Sequence, residues 1–428
     1  MSIALTPYLE GYKRLPPAAQ PWLRTLKEQA LKRAEERGFP GMRDEAWKYT
    51  SVAPLEKRGF KPGISGIAPG LAVLETLLVA GLDASRAVFV NGRFVPGHSR
   101  LPKGARVVPF SQAGGTLKAL PALPEEWQSD TFTDLNTALF QDGLWLELDA
   151  GLHLEEPLEL LHVSVPDEAP GSHHLRHVLR LGAKARGMVI ERYVGFNEAK
   201  HLTNSVVQID LSKEAHLTHA RIQDESPQTF HLGRTLVEQA AGSIYHSHNM
   251  QWGAAWSRLD IHTRLLAEGA QTSLQGLYAV NGRQHIDNHT RIDHLAAQTT
   301  SHELYRGILD GNGRAVFNGK VWVAPHAIKT DAAQANHNLI LSRGAEIDTK
   351  PELEIYADDV KCSHGATIGQ LDEHQLFYLR SRGLDVVKAR ELLVDAFAEQ
   401  ILSTLPQPAL ADHARLRLGS AIHLPVQA

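Results

Sequence analysis

The stretch that decides the fold is AGSIYHSHNMQWGAAWSRLDIHTRLLAEGAQTSLQGLYAVNGRQHIDNHTRIDHLAA, residues 241–297. Its small or polar turns recur at Ala241-Gly242, Gly269-Ala270 and Ala296-Ala297, a step of about 28 residues. Such a period is typical of coils stacked as a solenoid, in which each coil contacts only its neighbours and buries a continuous narrow core. The sequence therefore favours a β-helix over a β-sandwich.

A pattern typical of β-strands and turns extends from about Val88 to Gly369, where short β-branched or aromatic runs such as AVFVNGRFV, VVQIDL and NLILS alternate with turns. The stretch GNGRAVFNG superficially resembles a dinucleotide-binding loop, but no helix follows it, so we interpret it as turns between strands. The absence of helical stretches between the strands also argues against an α/β fold. Four Asn-Gly dipeptides are interpreted as turns, at Asn91, Asn281, Asn312 and Asn318.

Helical patterns flank this β segment on both sides. Apolar residues at helical spacing among dense charges predict a helix from about Leu23 to Arg37. Asp372 is predicted to cap a first C-terminal helix. A second helix is predicted to carry one apolar stripe, formed by Val386, Ala389, Leu393, Phe397 and Ile401. We expect three parts: a largely helical N-terminal region (1–87), a β-helix core (88–370) and a C-terminal helical domain (371–428).

Composition excludes several classes of function. The 44 basic and 48 acidic residues give a net charge of -4, which offers no basic surface for nucleic acid. A single cysteine excludes an internal disulfide framework, and the N-terminus lacks the pattern of a secretory signal. The most apolar segment, from Leu71, is too short for a membrane span. We expect a cytoplasmic protein without a membrane or nucleic-acid partner.

Histidine is unusually frequent, with 23 residues. His246 and His248 would share one face of a strand, but zinc needs a third or fourth ligand at suitable spacing. We therefore favour polar residues that decorate a sheet face over a metal site at this position.

The only cysteine lies in DDVKCSHGATIG, residues 358–369. On a strand, Cys362 and His364 would point to one face and Lys361 to the other, because side chains alternate. The pair could act as soft metal ligands, or Cys362 could be an inert buried cysteine beside an ordinary surface histidine.

The region KTDAAQANHNLILSRGAEIDTKPELEIYADDVKCSHGATIGQLDEHQLFYLRSRG, with RDEAWKYT and FVNGRF upstream, resembles the SufB/SufD family of iron-sulfur cluster assembly proteins, and within it the SufD branch. The resemblance implies a right-handed parallel β-helix between helical termini, working in a complex with a SufB-like chain and a SufC-type ATPase. SufB-type chains usually carry further cysteines, so having only Cys362 agrees with the SufD branch.

The resemblance also implies a function. This chain would be a non-catalytic scaffold that pairs with the SufB-like chain through the β-helix, while the partner ATPase hydrolyses ATP. His364, with Cys362 as its companion, would be a transient metal ligand at a cluster-assembly site shared with the partner. A reduced flavin in the complex and a homodimer in isolation are compatible with the resemblance. The residues expected to contact the ATPase are Phe377, Leu379, Leu393 and Phe397.

Two alternatives belong to other classes of protein. A β-helix of this length could be a carbohydrate lyase or hydrolase, which would need a groove with clustered carboxylates and usually an exported chain. It could also be an architectural scaffold without chemistry of its own.

Overall fold

The computed structural model describes residues 3–62, 69–124, 127, 130–167, 169–196 and 198–422. The extreme ends of the predicted terminal regions, 1–2 and 423–428, lie outside the described residues. The α-helices are α1 (Thr6–Arg14), α2 (Pro21–Arg37), α3 (Ala53–Arg58), α4 (Leu71–Glu75), α5 (Thr131–Leu139), α6 (Glu373–Ser381), α7 (Val386–Leu402) and α8 (Pro408–Ala421).

Long strands of similar length follow one another through the middle of the chain, without intervening helices among the described residues. The strands are β1 (Lys61–Pro62), β2 (Ser85–Val90), β3 (Arg93–Phe94), β4 (Arg106–Pro109), β5 (Asp142–Leu148), β6 (Leu158–Ser164), β7 (Gly171–Leu181), β8 (Arg186–Gly195), β9 (His201–Leu211), β10 (His216–Asp224), β11 (Phe230–Gln239), β12 (Ile244–Gln251), β13 (Trp256–Leu265), β14 (Gln271–Val280), β15 (His285–His294), β16 (Thr300–Leu309), β17 (Arg314–Val323), β18 (Asp331–Ile340), β19 (Glu346–Ile355) and β20 (Lys361–Gly369).

The strands form two stacked sheets, one from the odd-numbered strands β5 to β19 and one from the even-numbered strands β6 to β20. Each strand pairs in parallel with the strand two positions on, so Ile244 lies beside Gln271 and Trp256 beside His285. This connectivity is a parallel β-solenoid of about eight turns. It confirms the predicted fold class and the step of about 28 residues.

Alternation along the strands separates an interior row from an exterior row of side chains. On β18, Ala332, Gln334, Asn336 and Asn338 are buried, while the residues between them are partly exposed. The interior combines an apolar cluster with polar side chains that are hydrogen-bonded to one another. Both sheets therefore enclose one continuous narrow core, part of which is polar.

The turn predictions at Asn91, Asn281 and Asn312 are confirmed, since each residue lies between two strands. The prediction at Asn318 is wrong, because Asn318-Gly319 lies inside β17. Gly319 faces the interior, where a Cβ atom would overlap the side-chain amide of Gln334. The glycine at this position makes room for a polar side chain rather than forming a turn.

Gly307 on β16 occupies a similar position in the core. A Cβ atom here would overlap the ring of Tyr278 and the side-chain oxygen of Asn338, two residues that are hydrogen-bonded to each other. We expect Gly307→Ala to lower the free energy of unfolding by about 2 to 3 kcal/mol, because an overpacked core must shift its neighbours. Urea denaturation measures this loss. Gly365→Ala is the matched control, since Gly365 is also a strand glycine but has open space around it; equal stability of the two variants would contradict the prediction.

The N-terminal helices cover the odd-numbered sheet. Buried residues of α1 and α2, such as Tyr8 and Ala30, form one cluster with Phe132 of α5 and with Leu202 and Trp256 of the sheet. The strand β2 spans the predicted boundary between residues 87 and 88. The division of the chain into parts at 87 and 370 stays a prediction.

The C-terminal helices cover part of the even-numbered sheet. Asp372 caps α6 as predicted, because its carboxylate accepts a hydrogen bond of 2.8 Å from the backbone N–H of His374. The buried face of α7 differs from the predicted stripe, since Val394 and Ala398 are buried while Val386 is 39% exposed. The apolar side chains of α7 and α8 form one cluster with the sheet beneath. Among the described residues, the helices all lack the length and apolar character needed to cross a membrane.

Candidate functional site at the open end of the solenoid

The last coil of the solenoid is open on one side. Its strands, β19 and β20, stand at the ends of the two sheets and pair only with β17 and β18 among the described residues. All β20 side chains are exposed except that of Cys362, which is half-buried. Interior-facing positions that are covered in earlier coils are therefore accessible here.

Cys362 and His364 share one face of β20. In the parallel register, Cys362 lies beside Ala332 and His364 beside Gln334, and both neighbours face the interior. The side chain of His364 is exposed and has no hydrogen-bond partner among the described residues. The two donors thus continue an interior row at the point where the solenoid ends.

The environment of Cys362 disfavours a reactive thiolate. Cys362 packs against a small apolar cluster that includes Ala332 and Val323. Burial, with a contribution from the negative charge of Asp331, raises the pKa of its thiol above the ordinary value. Lys361 points to the opposite face of the strand. Cys362 is therefore a protonated thiol at neutral pH, and of the two donors His364 is the more available.

The described residues contain no group of three or more histidine, cysteine, aspartate or glutamate side chains that could hold a metal ion. His246 and His248 on β12 are accordingly not part of such a group. His246 is exposed, and His248 is buried next to Thr404. Iron-sulfur clusters are usually held by about four protein ligands, so Cys362 and His364 by themselves are too few to hold one.

Two polar residues behind His364 were not identified from the sequence. Glu303 on β16 lies beside Gln334 on β18, which in turn lies beside His364 on β20. Both Glu303 and Gln334 are 3% exposed. Only the stacking register brings the three together, and an acidic residue within a strand such as TSHELYRGIL gives no signal of it.

A second feature is the groove between α6 and α7, with a volume of about 450 Å³. It is lined by His374, Gln375, Tyr378, Leu379, Leu392, Leu393 and Ala396. The structure thus brings Leu379 and Leu393 together, whereas Phe377 is 72% exposed and is not among the residues that line the groove. Phe397 is placed differently, because it is half-buried beneath the guanidinium of Arg306, 4.4 Å from its ring centre.

Comparison with known proteins gives a consistent result. Residues 164–397 match the SufBD core domain of the SUF system for FeS cluster assembly, and residues 6–160 match the SufBD protein N-terminal region. The chain is 34% identical to the iron-sulfur cluster assembly protein SufD of Escherichia coli, over 96% of this chain and 94% of that protein. It is 32% identical to an iron-sulfur cluster assembly SufBD family protein of Synechocystis, over 88% of this chain and 86% of that protein. Protein ABCI7, chloroplastic, of Arabidopsis thaliana is 28% identical over 96% of this chain and 89% of that protein.

The fold and its open end define a parallel β-solenoid protein that is flanked by helices and presents a histidine and a cysteine on its last strand. The chain belongs to the SufBD family of the SUF iron-sulfur cluster assembly system, and within it is SufD-like. The relatives from Escherichia coli and Synechocystis are named as iron-sulfur cluster assembly proteins, which agrees with a scaffold role.

Proposed function

We propose that this chain is a scaffold subunit that pairs with a SufB-like chain and a SufC-type ATPase to build and hand on nascent iron-sulfur clusters in the cytoplasm. The observation that carries this proposal is the exposed His364 on the interior-facing row of an end strand, in a member of the SufBD family. In this proposal the cluster is cargo rather than a resident cofactor. The chain has no catalytic residue, and ATP hydrolysis belongs to the partner ATPase.

The ligand set that the described residues offer is incomplete, which supports a shared site. Histidine binds metals as a neutral imidazole near physiological pH, so His364 can act as a ligand without a neighbouring base. Cys362 offers a second donor on the same face. The SufB-like partner would supply the remaining ligands and close the last coil, and a reduced flavin could supply electrons to the same complex.

Affinity purification of the chain from its native host tests this function, with iron and sulfide analysis of the recovered complex. We expect a SufB-like chain and an ATPase to be recovered together with this chain, and iron and sulfide to be found in the complex. Recovery of the chain alone, without either partner, would contradict the proposed function.

We expect the SufB-like partner to dock on the open edge of the last coil by strand addition, because the backbone groups of an unpaired edge recruit another strand. The N–H of Tyr356 donates to the carbonyl of Val323, 3.0 Å away, so the preceding N–H of Ile355 points away from β17 toward the open edge. Ile355→Pro removes that edge donor without breaking a bond within the chain. It should weaken partner binding about 10-fold, as measured by titration, because one lost interfacial hydrogen bond is worth about 1 to 1.5 kcal/mol.

Ile355→Ala is the control for this prediction, since it removes the side chain but keeps the N–H donor. Equal affinity of the proline and alanine variants for the partner would argue against strand addition at β19. The absence of hydrogen-exchange protection at residues 339–364 on complex formation would exclude this interface.

We expect the ATPase to dock on the groove between α6 and α7. Deletion of 371–428 is not a clean test, because these helices share an apolar cluster with the even-numbered sheet. Leu392→Glu changes a groove-lining side chain that is 48% exposed and should reduce ATPase binding by at least 10-fold, since it places a charge in an apolar contact. Leu416→Glu on α8 is the matched control, because Leu416 is 73% exposed and does not line the groove. Pull-down of the ATPase that is unchanged by Leu392→Glu would place the contact elsewhere.

A further inference from the structure

A buried hydrogen bond lies directly behind His364. The side-chain amide nitrogen Nε2 of Gln334 donates to Oε2 of Glu303, 2.6 Å away. Gly319 on the opposite sheet makes room for this amide, since any side chain there would overlap it. The core thus holds Gln334 and Glu303 in a fixed arrangement.

The hydrogen bond sets the orientation of the Gln334 amide. An ionised carboxylate only accepts hydrogen bonds, so Gln334 must turn its NH₂ group toward Glu303 and its oxygen Oε1 away from it. Among the described residues, Oε1 of Gln334 is buried and has no hydrogen-bond partner. A buried carbonyl oxygen without a donor is costly, so its position indicates a partner that arrives when the site is completed.

His364 is the neighbour of Gln334 in the register, on a strand about 4.8 Å away. We propose that Gln334 is a positioning residue for His364, with its Oε1 accepting the N–H of one imidazole nitrogen so that the other nitrogen presents its lone pair to iron. Metal-binding histidines almost always donate their second N–H to a carboxylate or carbonyl oxygen, which fixes the tautomer and the ring orientation. This inference rests on the proposed function, because it assigns a support to the ligand of that same site.

Glu303 controls this arrangement through its protonation. Burial raises the pKa of Glu303 to about 7, although the hydrogen bond from Gln334 partly stabilises the charged form. Among the described residues, Tyr305 on the same strand is the titratable group that interacts with Glu303. Leu274 on β14 and Gln334 on β18 flank Glu303. Once protonated, Glu303 can donate to the amide oxygen, and Gln334 can then turn its NH₂ group toward His364. An NH₂ group would compete with iron for the imidazole lone pair.

The test uses the complete complex with the SufB-like chain and the ATPase, and measures the amount of cluster assembled by absorption and by iron analysis. We expect Gln334→Met and Glu303→Gln to reduce the yield about 10-fold at pH 8, since loss of a hydrogen bond behind a metal ligand typically has an effect of this size. Tyr278→Phe is the matched control, because it removes another buried hydrogen bond of the core, to Asn338. Its yield should equal that of the wild-type complex.

The pH profile separates positioning from a merely structural role. The cluster yield of the wild type, divided by that of Glu303→Gln, should be close to one at about pH 6, because protonated Glu303 no longer fixes the Gln334 amide. The ratio should rise as the pH increases through about 7. A constant ratio between these values would overturn the proposal even if one variant folds poorly. If Gln334→Met and Glu303→Gln both assemble as much cluster as the wild type while His364→Ala assembles little, the role of Gln334 is overturned and the proposed function stands. A fully active His364→Ala complex would instead remove the proposed function.

Discussion

His364→Ala should nearly abolish cluster formation in the assembled complex, while the complex itself forms normally. His364 is exposed on the last strand and makes no side-chain hydrogen bond among the described residues, so its removal breaks no hydrogen bond of the isolated chain. The expected loss is at least 10-fold in cluster yield, because a cluster needs about four ligands and this change removes one of them. Cys362→Ala should have a smaller effect, since its thiol is half-buried and its pKa is raised.

The measurement is anaerobic reconstitution of each complex, followed by iron and sulfide analysis and absorption spectroscopy. Subunit stoichiometry and the thermal midpoint should remain within error of the wild type. His302→Ala is the matched control, because His302 is another exposed histidine, on the outer face of β16. An unaltered rate and yield for His364→Ala would leave this chain as an architectural scaffold without chemistry of its own.

The solenoid could be predicted from the sequence because its period is visible in the spacing of the turn residues. Each coil places small or polar residues at the same step, and the alternation within each strand then follows from backbone geometry. The same alternation placed Cys362 and His364 on one face. The error at Asn318-Gly319 has a physical reason, since a glycine that forms a turn and a glycine that accommodates a bulky neighbour look identical in a single sequence.

The residues behind the site could not be predicted in this way. Glu303 and Gln334 meet His364 only through the register between coils, and that register depends on the length of every intervening turn. The buried face of α7 was also mispredicted in part, because the sheet beneath it decides which side chains are covered. Local patterns therefore define the coils, whereas stacking defines which polar side chains meet.

Stacking also places a group of histidines in the first coils of the solenoid. His162, His173, His174 and His177 are all at most 5% exposed. Burial lowers their pKa because it disfavours the charged imidazolium, to about 3 for His174 and about 4 for His177, and well below the ordinary value for His162. These side chains are therefore neutral in the folded protein at physiological pH.

Neutral burial makes the fold sensitive to acid. In the unfolded chain histidine binds a proton at about pH 6.5, so unfolding takes up protons between that pH and the lower pKa of the folded state. The stabilising contribution is complete above about pH 6.5 and is lost as the pH falls toward the folded pKa, at about 1.4 kcal/mol per pH unit for each histidine. Because native proteins are stable by only about 5 to 15 kcal/mol, several such groups suffice to unfold the chain. We expect cooperative loss of the β-sheet circular dichroism signal between about pH 6 and pH 4.

His162→Phe tests the cause of this acid unfolding. Neither ring nitrogen of His162 has a hydrogen-bond partner among the described residues, and the ring stacks on Tyr193 with centres 4.5 Å apart, so phenylalanine keeps the packing and removes the titration. The wild type loses about 1.4 kcal/mol of unfolding free energy for each pH unit below 6.5, whereas the variant does not. Relative to the wild type, the variant should therefore be about 2 kcal/mol more stable at pH 5 than it is at pH 8. Urea denaturation at both values measures it, with the exposed His302→Gln as control. If the difference between His162→Phe and wild type is the same at both pH values, buried neutral histidine is not the source of the acid sensitivity.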